Sequence, residues 1–419
     1  MRVLFATYPE KTHLLAMVPL AWAMRTAGHD VRVAGAPGFA GEITQAGLTA
    51  VQVGSDRGLD RMLKLDQNWI VTGLDGLPVP YDTADWRPED VTWEYLLEGY
   101  RLQVARWHRM SNVPLVADLV EYARSWQPDL VVWEPSTYAG AVAAEACGAA
   151  HARLLFSVDT LGVTRDHFLR LKAGQPVDER EDPLAEWLGG YAEKYGFEYS
   201  EALVTGQHTI NLMPPSLRLE ADLSYLPMRY VPYGGPAAVP DWLREPPERP
   251  RVALTMGLST ASWAGYAVRF QDVLDTLSDL DVELVVTLPE DVHDQIDEIP
   301  DNTRLVSYVP LHALAPTCSV IIHHAGFGTL ATTALNGVPQ LIVPWDGDGP
   351  AMAKRVAAQG AGTAVHPGQT SAETIRDRLV ALLAEPRYRR AADRLREEMA
   401  AMPSPNDLVR QLELTVGRR

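Results

Sequence analysis

The sequence predicts an α/β fold built from two Rossmann-like, doubly wound domains facing each other across a cleft. Three observations carry that expectation. The chain has 419 residues, more than one ordinary hydrophobic core organises. Strand-like and helix-like segments alternate along it in two separate series, the pattern of parallel sheets wrapped by crossover helices. A proline-rich break separates the two series.

In the first series Val3–Ala6 reads as a strand and residues Leu15 to Ala27 as a helix closed by Gly28-His29-Asp30. Asp30–Ala36 reads as a strand, Gly41–Ala46 as a helix and Ala50–Val53 as a strand. A second cycle ends in Asp129-Leu130-Val131-Val132-Trp133, apolar on both faces as a buried parallel strand should be. Residues 54 to 90 are rich in Gly, Pro, Asp and Trp without a clean period, which predicts a functional loop. Tyr233 to Pro250 holds five prolines and reads as a linker. The chain then starts over with Val252–Gly257, followed by strands at Val282–Thr287, Thr303–Tyr308, Val320–His323 and Gln340–Pro344. The expected organisation is therefore 1–232, a linker at 233–250, 251–400, and a C-terminal helix within 401–419 packing back on the N-terminal domain. Ligands of open α/β sheets bind beyond the carboxyl ends of the strands, so a cleft between two such sheets is the expected site.

Composition narrows the function. Lys and Arg number 37 against 54 Asp and Glu, a net charge of −17, which opposes binding to nucleic acid or to an anionic membrane surface. No charged leader precedes an apolar stretch and a cleavage site, and no apolar run approaches the roughly 20 residues of a membrane span. A cytoplasmic protein is expected. Cys147 and Cys318 have neither metal-ligand nor redox spacing and read as buried, reduced thiols. His108, His151, His208 and His366 have no ligand spacing either and read as structural.

The stretch Val320 to Leu335 is the most informative. A buried strand stops at His323-His324, turns through Gly326 and Gly328, and enters a helix at Thr329. Such a turn aims backbone N–H groups and the positive end of a helix dipole at one spot, where an anion such as a diphosphate fits. A tight strand-to-helix turn with satisfied histidines would show the same glycine pattern, so that pattern alone leaves both readings open.

The motif His324-x-Gly326-x-Gly328-Thr329, with Leu335-Asn-Gly-Val-Pro-Gln340, Lys354-Arg-Val356 and Gly360-Ala-Gly362, resembles the nucleotide-sugar signature of the inverting GT-B glycosyltransferases. Met1 to Gly47, Trp126 to Pro135, Arg180 to Leu188 and Met228 to Tyr233 are similar to the deoxysugar transferases of macrolide and anthracycline pathways. The resemblance implies a dTDP-deoxysugar donor, a hydrophobic polyketide aglycone as acceptor, a cytochrome P450-like activator protein docked on the N-terminal domain, and no cofactor or metal; an oligomer is left open. It places the acceptor on the N-terminal domain and the nucleotide-sugar on the C-terminal one. Carried over, it puts His324, Gly326, Gly328 and Thr329 on the diphosphate, with Gly257 and Ser259 opposite. Tyr308 and Val309 fall in the base-binding segment, and Asp348 on the donor sugar's hydroxyls. His13 becomes the base that deprotonates the acceptor, and Glu134 the carboxylate that orients it. Trp69, Trp86, Trp93, Trp107 and Tyr81 supply aromatic surface for an apolar acceptor. The sequence departs from the family at Ala325, usually glycine, at Phe327, larger than most, at Gly349, usually glutamine, and at Met352, usually asparagine.

Three rival readings stay in view. Asp346-Gly347-Asp348 is literally the Asp-x-Asp pattern of a metal-bridged donor site. A dehydrogenase would use the looser Gly326-x-Gly328-x-x-Ala331 turn, but that fingerprint belongs on a domain's first strand. A catalytically inactive homologue acting as a binding partner would tolerate the departures, though His13, Glu134, His324 and Asp348 are all present.

Overall fold

The computed structural model describes residues 1–56, 76–257, 269–294, 296–344, 347–366 and 369–417. Two wholly parallel sheets organise them. The first contains β1 (Arg2–Ala6), β2 (Asp30–Gly35), β3 (Thr49–Gln52), β4 (Leu130–Trp133), β5 (Ala150–Leu154), β6 (His208–Asn211) and β7 (Tyr225–Pro227), in the order β3-β2-β1-β4-β5-β6-β7. The second contains β8 (Arg251–Thr255), β9 (Glu283–Thr287), β10 (Thr303–Val306), β11 (Cys318–His323), β12 (Gln340–Ile342) and β13 (Gly362–Ala364), in the order β10-β9-β8-β11-β12-β13. In each sheet the winding reverses between the first and the fourth strand of the order of chain, at β1/β4 and at β8/β11. Loops leaving these neighbours diverge to opposite sides and open a crevice.

The central strands are apolar on both faces because helices cover both: Leu130, Val131, Val132 and Trp133 are all buried. The first helix, Lys11–Thr26, buries Leu14, Met17, Val18, Leu20, Ala21 and Met24, and the chain leaves it through Gly28 at φ +92°. That conformation favours a residue without Cβ. The C-terminal helix, Pro405–Val416, opens on a capping box between Ser404 and Asp407 and shares one core with the first helix through Leu408, Val409 and Leu412. His29 Nε2 meets Glu413 Oε1 at 3.0 Å on the same face.

Several elements differ from the sequence expectation. β5, β6, β7 and β13 carry no clear local signal and complete the two sheets. The linker contains a short 3-10 turn, Asp241–Leu243, whose Leu243 is buried while Trp242 lies under the guanidinium groups of Arg251 and Arg304, 5.5 and 4.9 Å from its ring centroid. Cys147 is only half-buried, since it ends a helix at the surface, whereas Cys318 is buried. Among the described residues no helix is long and apolar enough to cross a membrane.

Candidate active site

His13 and Glu134 come from the two sides of the β1/β4 crevice. Helix formation begins at Lys11, earlier than the sequence suggests, so His13 lies in the helix's first turn instead of the loop before it. Its Nδ1 is 3.3 Å from Glu134 Oε2. Glu134 follows β4 directly and has no solvent exposure. Its carboxylate accepts hydrogen bonds from Ser136 N (2.9 Å), Tyr8 N (3.3 Å) and the Thr137 hydroxyl. Burial pushes this carboxyl up, but the His13, Thr137 and Ser136 interactions outweigh it and hold the group below its ordinary value. Glu134 is thus an anion fixed in place, not a surface or capping carboxylate. Phe156 stacks on the His13 imidazole with ring centroids 3.7 Å apart and planes inclined by 21°.

The β8/β11 crevice holds the second group. Gly257 lies two residues beyond β8 at φ +77°, and an added Cβ there would lie 2.3 Å from His324 Cε1; at Gly326 it would lie 2.5 Å from His324 Nε2. The two glycines therefore make room for the imidazole as well as for an approaching anion. Burial lowers the His324 imidazole to about 4, so it is neutral at pH 7. It can give a diphosphate a hydrogen bond, while offsetting its charge falls to the helix terminus. The helix starts at Phe327, two residues before the predicted Thr329, with Gly326 at its cap; Gly328 is exposed and Thr329 half-buried. Phe327 packs edge-on against Tyr230, centroids 5.2 Å apart, which is where its extra bulk goes. Ala325 sits at φ +77°, the left-handed conformation that favours the glycine common at this position.

His323 is the structural member of the pair. Its Nδ1 accepts from Ala325 N (3.1 Å), which leaves Nε2 as the donor to Gln340 Oε1 (2.8 Å). Asp348 stands at the cap of helix Gly349–Gln359 without a side-chain capping hydrogen bond. Burial raises the Asp348 carboxyl above its ordinary value despite the opposing influence of nearby Ser157 and His13. Val309 is buried, whereas Tyr308, 46% exposed, presents an open ring after β10. Ser259, Trp69 and Asp346 lie outside the described residues. Among the described residues no group of three or more His, Cys, Asp or Glu is arranged to hold a metal ion.

The expected aromatic surface is smaller than the sequence suggests. Tyr81 and Trp93 are buried in the N-terminal core, and Trp86 packs on Tyr95 at the surface. Trp107 is the one of the described four near the base: it lies 5.4 Å from Tyr8, itself 6.2 Å from His13, on a single π-helical turn, Val104–His108. His151 is held between Trp133 and Glu145, His108 against Tyr81 and His208 on Ser224, all structural roles.

Family models described as erythromycin biosynthesis protein CIII-like match the chain, the N-terminal domain over residues 22–257 and the C-terminal domain over 271–414. The chain belongs to this family. Members are GT-B glycosyltransferases, and the two parallel α/β domains have that architecture. The 10-deoxymethynolide desosaminyltransferase of Streptomyces venezuelae is 46% identical over 99% of this chain and 96% of its own. The aclacinomycin-T 2-deoxy-L-fucose transferase of Streptomyces galilaeus is 42% identical over 100% of this chain and 97% of its own. The crystal structure of the glycosyltransferase VinC in complex with dTDP superposes with a TM-score of 0.89, at 41% identity and full coverage of both chains. Glu134 lies within the matched N-terminal domain and His324, Gly326, Gly328, Thr329 and Asp348 within the matched C-terminal one, while His13 precedes the matched residues.

Proposed function

We propose that this chain transfers a deoxysugar from a dTDP-sugar to a hydroxyl of a hydrophobic polyketide aglycone, with inversion at the anomeric carbon, in cytoplasmic antibiotic biosynthesis. The observation that carries the reading is the His13–Glu134 contact at one switch point, with the His324 cradle at the other. The relatives' names and the dTDP complex of VinC support the donor and acceptor classes.

In this reading the N-terminal domain binds the acceptor and the C-terminal domain the donor. His13 takes the proton of the acceptor hydroxyl as its oxygen bonds to the anomeric carbon, and the buried Glu134 anion stabilises the imidazolium that forms. The bond between anomeric carbon and diphosphate oxygen breaks on the opposite face, which inverts the configuration. The departing dTDP is held by the N–H groups of the helix starting at Phe327, by Thr329 and by the neutral His324. Gly257 and Gly326 keep the approach open, Gly328 lies in the helix's first turn, and Ser259 extends the phosphate-facing segment. Asp348 accepts from sugar hydroxyls, while Val309 and Tyr308 hold the base. No cofactor or metal enters this scheme. A P450-like activator docks on the N-terminal domain.

The test is mass-spectrometric detection of glycosides after incubation with dTDP-deoxysugars and a panel of polyketide aglycones, with and without an activator. Product from the wild type that disappears in His13→Ala supports transfer and base together. Flavonoid or lipid glycosides without polyketide ones would refute the acceptor class. Full turnover without an activator would refute the docking partner.

A further inference from the structure

The turn between β5 and helix Thr160–Ala173 presents two consecutive side chains to the two halves of the site. Phe156 covers the face of the His13 imidazole, with centroids 3.7 Å apart. Ser157, buried, reaches across the domain boundary: its hydroxyl donates to Met352 Sδ at 3.4 Å, and its nearness lowers the Asp348 carboxyl against the effect of burial. The turn is held at both ends. Leu155 N donates to Ile210 O at 2.9 Å. The buried Asp159 carboxylate accepts from Arg153 (2.5 Å), Tyr225 (2.8 Å) and Gly162 N (2.9 Å).

We infer that Phe156 and Ser157 are positioning residues that couple the plane of the His13 ring to the docking of the donor-sugar loop around Asp348 and Met352. The inference rests on reading His13 as the base and Asp348 as the sugar carboxylate. The stack fixes the imidazole's rotation about its Cβ–Cγ bond, which the single contact of Nδ1 with Glu134 does not. Because the two residues are adjacent in a turn fixed at both ends, a displacement of the donor loop moves Ser157 and carries Phe156 with it. The base is then correctly aimed only when the C-terminal domain is seated. Met352, where relatives have asparagine, accepts the hydrogen bond of the Ser157 hydroxyl on its sulfur, which ties Ser157 directly to the helix that follows Asp348.

The experiment uses the full chain with Phe156→Leu, Phe156→Tyr, Ser157→Ala and His13→Ala, each checked for an unchanged thermal midpoint. Turnover is followed with a dTDP-deoxysugar and polyketide aglycone pair that the wild type converts to glycoside. The His13 Hε1 resonance, identified by its loss in His13→Ala, is followed by NMR in the presence of dTDP. Phe156→Leu is expected to lower kcat at least about ten-fold, since small misplacements of reacting groups cost up to about 100-fold, with dTDP affinity unchanged. Phe156→Tyr, which keeps the ring, restores the rate. Ser157→Ala, which makes no contact with His13, shifts its resonance and raises the donor KM. A His13 resonance unmoved by Ser157→Ala overturns the coupling, and an unchanged kcat in Phe156→Leu overturns the positioning role. Turnover surviving in His13→Ala would instead sink the assignment of the base, while the resonance shift still decides the coupling.

Discussion

The His324 imidazole occupies volume that two side chains would otherwise fill, with Gly257 on one side and Gly326 on the other. Gly257→Ala places a methyl 2.3 Å from the ring at φ +77°, so the ring must move or the strand end must distort. Backbone strain of this kind costs about 1–3 kcal/mol. The expected outcome is at least a ten-fold loss of dTDP affinity by calorimetry; unchanged binding would show that the ring is not the donor's partner. On the other domain, Glu134→Gln replaces an acceptor surrounded by three donors with a group that brings its own N–H. It is expected to lower kcat by about 10²-fold or more, the scale of one acid–base contribution, with dTDP affinity intact. His13→Ala should do the same. A loss confined to dTDP binding in either variant would contradict the assignment of these two residues to the acceptor side.

Single elements are secured by contacts remote in sequence. The helix starting at Phe327 is short, and its entry is set by His323, whose two ring nitrogens bind Ala325 N and Gln340. The C-terminal helix depends on its apolar face far more than on its ion pair. Leu412 is fully buried in the core shared with the first helix, whereas the Glu413 side chain opposite His29 is 44% exposed. Leu412→Ala is expected to cost about 2–5 kcal/mol, and Glu413→Ala under about 1 kcal/mol, because exposed pairs are screened by solvent. Urea denaturation of the two variants decides this. Equal losses would mean that the helix is anchored electrostatically.

At the scale of the whole molecule the two domains share a core and are pinned at the cleft's rim. Asp85, in the 3-10 turn Tyr81–Asp85, takes Lys354 Nζ at 2.5 Å and Arg355 at 3.2 Å on helix Gly349–Gln359 of the other domain. Two buried histidines, His108 and His323, and the partly buried His324 contribute to the acid limit. Burial lowers His108 and His323 from 6.5 to about 3, and His324 to about 4. In the unfolded chain these groups protonate below 6.5, while in the folded chain they stay neutral, so the unfolded state binds more protons and stability decreases as the pH is lowered. The loss begins as pH drops through 6.5 and proceeds at about 1.4 kcal/mol per unit for each histidine until the folded value is reached. Glu134 has the same sign at lower pH: the stability from its depressed value is present above the ordinary carboxyl range and is lost as pH falls through it. Urea midpoints measured from pH 7 to 4.5 are expected to fall steeply below 6. A flat profile would show that the imidazoles protonate without unfolding.

The sequence by itself determined the two series of buried strands, the proline-rich break, and the positions of Glu134, Gly257 and His324 beyond the ends of their strands. These follow from local hydrophobic pattern and turn chemistry, which need no knowledge of distant residues. Tertiary structure decided the rest. β5 reads as polar because it carries His151 and Arg153, yet both are buried, the first between Trp133 and Glu145 and the second on Asp159. β13 and β7 are three residues each, too short for a period. The proximity of Phe156 to His13, of Ser157 to Met352, and of Asp85 to helix Gly349–Gln359 joins residues 143, 195 and about 270 positions apart, or crosses the domain boundary. Local patterning marks which residues are buried or end a strand, but only the packed sheets determine which buried polar group meets which, because each partner is supplied by a different element.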